Sequence, residues 1–351
     1  MRNPSEKPFE YLKRKDGAAF SPETVKNWYK ARAYVLDKLK GVTIGPNSKE
    51  HLHAVVTSDS PLMLSVVREV ALLAHYVNFD ESTGQHRTLI TLVSKNRQIL
   101  AELEKEEYLC NLTHLCKYTL FESAPVNSDS YLDIELKVSE DTPKDNDGIT
   151  VTLSEEEANA FISSKNPEEV FSIDTRKAVL AGRIYDLGTL IDDMPAEDIH
   201  DTKRYKFALD VFKHKLLRKA ATPMIDAQTW ETDPVKVKNG LSNIFLTDCF
   251  ESKRSLCTEE NNEVLSKSEH ARWVAEKLIM GFRPLNRQES IHDERLFGEA
   301  KRQYRRQLKQ SSSDPVHIDL CSYAELRRIN PNDLKYDTFL MLAIEAILNK
   351  L

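Results

Sequence analysis

The sequence predicts two domains, an α/β domain over residues 1–174 and a mainly α-helical domain over residues 175–351. Three observations carry this prediction. The chain has 351 residues, enough for about two domains of ordinary size. Residues 51–93 pass from a strand pattern to a helix pattern and back to a strand pattern, the sign of a parallel sheet with right-handed crossovers. After Asp174 the apolar periodicity becomes helical throughout, and a switch of that kind marks a boundary.

The elements follow in chain order. A helix is expected over 22–40: Ser21 supplies the N-cap, Pro22 the first helical position and Glu23 an acid in the first turn, each favoured at a helix start. Val25, Trp28, Val35, Leu36 and Leu39 recur at helical spacing, and Gly41 ends the run. Residues 51–57 (HLHAVVT) form a buried-strand pattern, 61–76 a helix and 89–93 (LITLV) a second strand. A helix is expected at 97–107, with strands at 117–121, 131–138 and 149–153. The polar stretch 139–148 (SEDTPKDNDG) reads as a turn between the last two strands, as in a long hairpin. Ser154 and the three glutamates after it open a helix to about residue 164, and 170–173 is a short candidate strand. Helices are then expected near 175–192, 202–220, 234–256, 265–280, 294–310 and 336–350.

Composition excludes several classes of function. The 351 residues hold 10 glycines, about 3% against a typical 7%, and no two are closer than four residues. No GxG, GxxG or P-loop can therefore cradle a phosphate. With 49 Lys and Arg against 55 Asp and Glu, the net charge is −6, which argues against general nucleic-acid binding while leaving room for a local basic patch. The five cysteines are odd in number and lack CxxC spacing, as expected of reduced thiols in the cytoplasm. Neither a signal peptide nor a membrane span is expected, since the most apolar stretch, 61–77, is broken by Arg68, Glu69 and His75.

Five constellations could carry chemistry. The strand–helix–strand unit at 51–93 is Rossmann-like, and its turn, Thr57-Ser58-Asp59-Ser60-Pro61, lies where such folds hold a pyrophosphate. Ser58 and Ser60 could donate to an anion there, but Asp59 repels one, glycine is missing, and the second strand ends Ser94-Lys95 instead of in a ribose-binding acid. The same hydroxyls would serve as helix caps. In CNLTHLC (110–116), His114 lies between Cys110 and Cys116, but no second pair completes a zinc set. In Ser266–Pro284 (SKSEHARWVAEKLIMGFRP), Ser266 and Glu269 read as a capping box and Gly281 as a stop. Ala271, Val274, Ala275 and Leu278 share a core face, while His270, Trp273 and Lys277 share the adjacent stripe. Such a stripe suits stacking of a planar ligand with an anionic part, or simple packing with a solvated lysine. Downstream, His317, Leu320, Tyr323 and Leu326 recur at three-residue steps, as in a 3₁₀ or loop segment packed on one side. Between them, 283–310 is highly charged, with Lys301, Arg302, Arg305 and Arg306 clustered, either a solvated helix face or an anion-facing surface.

Taken together, the stretches 266–284 and 316–326 resemble the ryanodine-receptor (RyR) domain repeat. The matching residues are His270 and Trp273 in an H-x-x-W helix, Gly281 and Phe282, then His317, Leu320, Tyr323 and Leu326, then Lys335 and Asp337. The E-H-x-R-W form of Glu269, His270, Arg272 and Trp273 is similar to bacterial members. Departures are Phe282 for tryptophan, Ile318 for proline and a longer charged insert before His317. More loosely, residues 51–95 resemble a nucleotide-binding domain of the potassium-uptake-regulator (TrkA-N) type that has lost its glycines and acid, and Leu180–Gly188 and Leu241-Ser242-Asn243 resemble the approach to a bacterial RyR domain.

The resemblance implies a non-catalytic module that recognises a nucleotide or nucleotide-derived signal, as in some bacterial defence systems, with an effector protein as partner and a homo-oligomer as the assembled form. It implies a ligand site of His270, Arg272, Trp273, Lys277, Phe282, Arg283, His317 and Tyr323, with Trp273 stacking a base, His270 and Tyr323 bonding it, and Lys277, Arg272 or Arg283 meeting phosphate. No metal and no cofactor is called for. The alternatives are a nucleotide-processing enzyme using His270, His317, Asp319 or Glu269, an NAD-linked regulator using the amino-terminal fold, and a scaffold without a small ligand.

Overall fold

The computed structural model describes residues 5–12, 17–96, 98–99, 132–143, 148–174, 178, 214, 234–256, 261–310, 315–331, 333–334 and 336–337. Strand β1 (Ser5–Glu6) is followed by a 3₁₀ turn, Pro8–Tyr11, and helix α1 (Pro22–Lys38). Ser21 caps α1 by accepting from the Thr24 N–H at 3.1 Å, and Trp28, Ala31, Tyr34 and Val35 are buried along its inner face. Strands β2 (Leu52–Val56) and β3 (Thr88–Val93) flank helix α2 (Pro61–Leu73), which Ser60 caps. Helix α2 is buried on almost every side because it lies under α1 and also meets two helices from the far end of the chain.

Strands β4 (Ile134–Ser139) and β5 (Ile149–Leu153) complete a parallel sheet in the order β4-β3-β2-β5. The hairpin expected between β4 and β5 does not form. The chain leaves one edge of the sheet and returns parallel on the other, where β5 pairs with β2 from Leu52↔Ile149 to Val56↔Leu153. The fully buried pattern of β2 explains its central place, whereas β5 alternates between half-buried and exposed, as an edge strand does. Gly148 sets the entry to β5. Its φ is +144°, and a Cβ there would stand 2.5 Å from the His51 carbonyl oxygen, which accepts from the Ile149 N–H at 2.9 Å.

Helix α3 (Glu155–Ser163), capped by Ser154, and helix α4 (Pro167–Phe171) pack on α1. The short strand read at 170–173 is instead the end of α4, capped by Asn166, followed by β6 (Ile173–Asp174), which pairs antiparallel with β1. Helix α5 (Pro234–Lys253) ends in the 3₁₀ turn Arg254–Leu256 and is followed by α6 (Asn262–Ile279). The helix expected near 294–310 forms as α8 (Gly298–Lys309), preceded by a helix the sequence reading did not include, α7 (Arg287–Arg295), and followed by α9 (Tyr323–Ile329). The elements expected at 97–107, 117–121, 175–192, 202–220 and 336–350, the segment 180–188 and the Cys110–His114–Cys116 group fall outside the described residues, isolated positions apart.

One cluster of buried side chains joins the sheet and α1–α2 to α5 and α6, through Leu241, Phe245, Val274, Leu278 and Ile279. Polar contacts cross the same boundary. Arg32 of α1 donates twice to Asp248 of α5, at 2.7 and 2.6 Å, and Ser268 of α6 donates to the His75 carbonyl. No helix among the described residues is long and apolar enough to cross a membrane.

Candidate functional site

The site is built on α6 and on what its carboxy-terminal cap projects. Asn261 occupies the N-cap position, one turn earlier than the sequence signals indicate. Ser266 and Glu269 are therefore mid-helix and do not form a capping box. Ser266 donates back to the Asn262 carbonyl at 2.8 Å, and Glu269 is buried. A capping box does occur at Asn286 and Glu289, at the start of α7. The far end of α6 follows its signal. Gly281 adopts φ +86°, its N–H bonds the Leu278 carbonyl at 2.9 Å, and the Phe282 N–H bonds the Lys277 carbonyl at 3.0 Å, the paired bonds of a Schellman cap. This turn folds Phe282 back beside the His270–Trp273–Lys277 stripe.

Two short bonds set the opposite wall. The Arg283 N–H donates to the Pro315 carbonyl, and the His317 N–H donates to the Arg283 carbonyl, both at 3.0 Å. His317 is thereby placed edge-on to Trp273 at 4.9 Å and to Phe282 at 6.2 Å between ring centroids. His270 lies nearly parallel to Trp273 at 6.1 Å and edge-on to Tyr323 at 5.9 Å. The Lys277 ammonium sits 5.6 Å from the Trp273 ring centroid and 2.9 Å from Glu276 Oε1. Trp273, Lys277, Phe282 and His317 are half-buried, while His270 and Tyr323 are buried. Tyr323 begins α9 rather than continuing a 3₁₀ run. Ser322 caps that helix, and Glu81, from the loop before β3, accepts the Tyr323 and Ala324 N–H groups.

Their surroundings push the two histidines in opposite directions. His270 Nε2 donates to the Cys321 carbonyl at 2.9 Å, and Nδ1 lies 3.4 Å from the Asp337 carboxylate. The Cys321 carbonyl can only accept, so Nε2 carries a proton, and the carboxylate beside Nδ1 favours a second one there. Burial alone would draw its pKa down, but Asp337 and Cys321 hold it well above the usual 6.5. His317 is pushed down to about 4, first by burial and then by the cations Lys309, Lys277 and His270, against the pull of Asp319. Its Nδ1 faces the Asp319 N–H at 3.4 Å and the Asp319 carboxylate at 3.5 Å.

Two expected site residues are turned to other work. Arg272 is 1% exposed, facing the core and not the stripe. Its guanidinium binds both oxygens of Glu269 at 2.8–3.1 Å and Glu276 at 2.7 Å, so it cannot meet a phosphate as expected. Arg283 lies at the site, but it binds Glu289 twice, at 2.7 and 2.9 Å.

The amino-terminal turn is also committed. Ser60 accepts the Met63 N–H, Ser58 donates to Glu155 at 3.2 Å, and Ser94 donates to Asp59. With Asp59 on the turn, the Glu155 carboxylate of α3 against it and both hydroxyls engaged, the turn is unsuited to an anion. Sequence reasoning missed Asn330, Asp333 and Glu81. Asn330 donates to Asp319 at 3.1 Å and to Asp333 at 2.7 Å, and no local spacing announces a contact of that sort.

Two cavities lie elsewhere. One of about 680 Å³ is lined by Phe20, Tyr29 and Phe171, and one of about 390 Å³ by Leu36, Leu73 and Tyr76. Among the described residues no group of three or more His, Cys, Asp or Glu could hold a metal ion. Comparison with family models, with curated proteins and with solved structures finds no significant match to this chain.

Proposed function

We propose that this chain binds a nucleotide or nucleotide-derived signal at the α6 site and responds to it without turning it over. The observation that carries the reading is the convergence of Trp273, Phe282 and His317, all half-buried, with the Lys277 ammonium over the indole. An aromatic plane beside a cation and a neutral N–H donor suits a planar, hydrogen-bonding ring that carries negative charge. The similarity of these residues to the RyR pattern supports the same reading. The sheet order β4-β3-β2-β5 is that of half a Rossmann fold. We read it as a Rossmann-like unit that serves transmission or self-association, because its turn carries Asp59 and faces Glu155 where such a site would need glycines.

The test is a panel of mono-, di- and cyclic nucleotides, read by thermal shift and tryptophan fluorescence with product analysis of each mixture. Stabilisation by at least one member, abolished in Trp273→Ala, with the nucleotide recovered intact, is the expected result. No stabilisation, or equal stabilisation of the variant, overturns the site. Loss of the nucleotide would replace sensing with turnover.

A further inference from the structure

The cavity of about 390 Å³ lies where three elements meet: the end of α1, the end of α2 and the last turns of α5. Its size is that of a small-molecule site. Leu36 of α1, Leu39 at the cap of that helix and Leu73 at the end of α2 line it, and with the Tyr76 ring they give it an apolar wall. Lys40 and Gly41, both exposed, stand at its mouth. A Cβ added at Gly41 would meet nothing within 4 Å, so the entrance is open.

The polar groups of this wall are unevenly satisfied. Asp248 is held by Arg32 at 2.7 and 2.6 Å, and Ser252 donates to the Cys249 carbonyl at 2.8 Å. Tyr76 is 7% exposed, and its hydroxyl makes no hydrogen bond among the described residues, although a buried hydroxyl ordinarily finds a partner. Burial holds its pKa above the ordinary value of 10, so the group keeps its proton to donate. The chain beside it is fixed. The His75 ring bonds Asp133 and the Ala71 carbonyl, each at 2.9 Å, and the His75 carbonyl accepts from Ser268 at 3.3 Å.

A water molecule would satisfy the hydroxyl and leave the leucine wall wet, whereas a molecule with an apolar body and an accepting end gains from both. The charges set the sign of that end. Arg32 already balances Asp248, while Lys40 has no ion pair among the described residues. The uncompensated charge among the lining residues is therefore positive. We propose that this cavity binds a small amphipathic carboxylate, with its apolar body against Leu36, Leu39 and Leu73 and its carboxylate accepting from Tyr76 and facing Lys40. None of these residues belongs to the α6 site, so the nucleotide reading stands or falls separately.

The full chain is titrated with octanoate, octanol and octylamine, which share one apolar body, by calorimetry and thermal shift below the micellar range. Octanoate should bind and raise the melting temperature, with octanol weaker and octylamine weakest. Tyr76→Phe, which removes only the unbonded hydroxyl, should weaken octanoate by about threefold to tenfold, the size of one hydrogen bond. Lys40→Gln, at an exposed side chain, should bring octanoate down to the affinity of octanol. Leu36→Trp fills the cavity from its half-buried rim and should abolish binding of all three, with the melting temperature of the free variant as the check on folding. No octanoate binding, or equal binding by wild type and Leu36→Trp, overturns the site. Octylamine bound as tightly as octanoate, or octanoate affinity unchanged in both Tyr76→Phe and Lys40→Gln, overturns the carboxylate assignment.

Discussion

A buried charge is tolerated where its partners replace the water it has lost, and Arg272 shows how completely this can be done. Glu269 and Glu276 take up its guanidinium, and Ser242 donates in turn to Glu276 at 2.8 Å. Burial would raise the Glu276 carboxyl, but Lys277 and Arg272 hold it below the usual glutamate value. Arg272→Ala takes from buried Glu269 its guanidinium partner and leaves Glu276 to Lys277 and Ser242, and it is expected to cost about 3–5 kcal/mol of stability, measured by urea unfolding. A loss below about 1 kcal/mol would show that the network does not hold α6. Asp333 makes a prediction of the opposite kind. Its pKa is raised, by burial first and then by Asp319, to about 7, so the folded chain binds this proton more tightly than the unfolded chain. The stability it contributes is complete below the ordinary aspartate value of 3.8 and is lost as pH rises through about 7. Asp333→Asn should flatten the fall in melting temperature between about pH 4 and 7. An unchanged slope would remove Asp333 from that account. His270, also raised, continues the loss of stability at higher pH.

Elements with a strong local signal form where that signal lies. Ser21 and Pro22 start α1 and Ser60 and Pro61 start α2, because a side-chain acceptor followed by a proline satisfies a helix start from within three residues. The apolar face of α6 is likewise legible, with Ala271, Val274, Ala275 and Leu278 all buried. Its start is not, because Ser266 and Glu269 have the residue types of a capping box but find partners within the helix and across it. The same limit applies to β4 and β5. A polar turn reads alike whether the chain reverses into a hairpin or crosses to the other edge of the sheet, since the choice depends on which strand offers a free edge. Gly148 is the local price of the crossing. With φ +144° and the His51 oxygen 2.5 Å from an added Cβ, Gly148→Ala should destabilise the chain by more than about 1 kcal/mol, read as a lowered urea midpoint. A neutral substitution would mean that the entry to β5 relaxes freely.

At the scale of the whole molecule, the candidate site is tied to the parallel sheet. Glu81, in the loop between α2 and β3, accepts the first N–H groups of α9, and Arg32 binds Asp248 across the α1–α5 contact. Glu81→Ala should speed hydrogen exchange at the Tyr323 and Ala324 amides, and unchanged protection would show that α9 holds itself. A double-mutant cycle on Arg32→Ala and Asp248→Ala should give a coupling of about 1–3 kcal/mol, with a value near zero severing this link. By itself the sequence determined the starts of α1 and α2, the buried strand β2, the core face of α6 and the glycine that ends it, because each rests on contacts within a few residues of the chain. The resemblance put His270, Arg272, Trp273, Lys277, Phe282, Arg283, His317 and Tyr323 in one group, of which the fold brings the aromatic rings and Lys277 together. The tertiary structure alone decided the sheet order, the diversion of Arg272 and Arg283 to carboxylates, and the arrival of Glu81 beside the site. Those outcomes depend on partners distant in sequence, and a charged side chain pairs with whichever opposite charge the fold delivers.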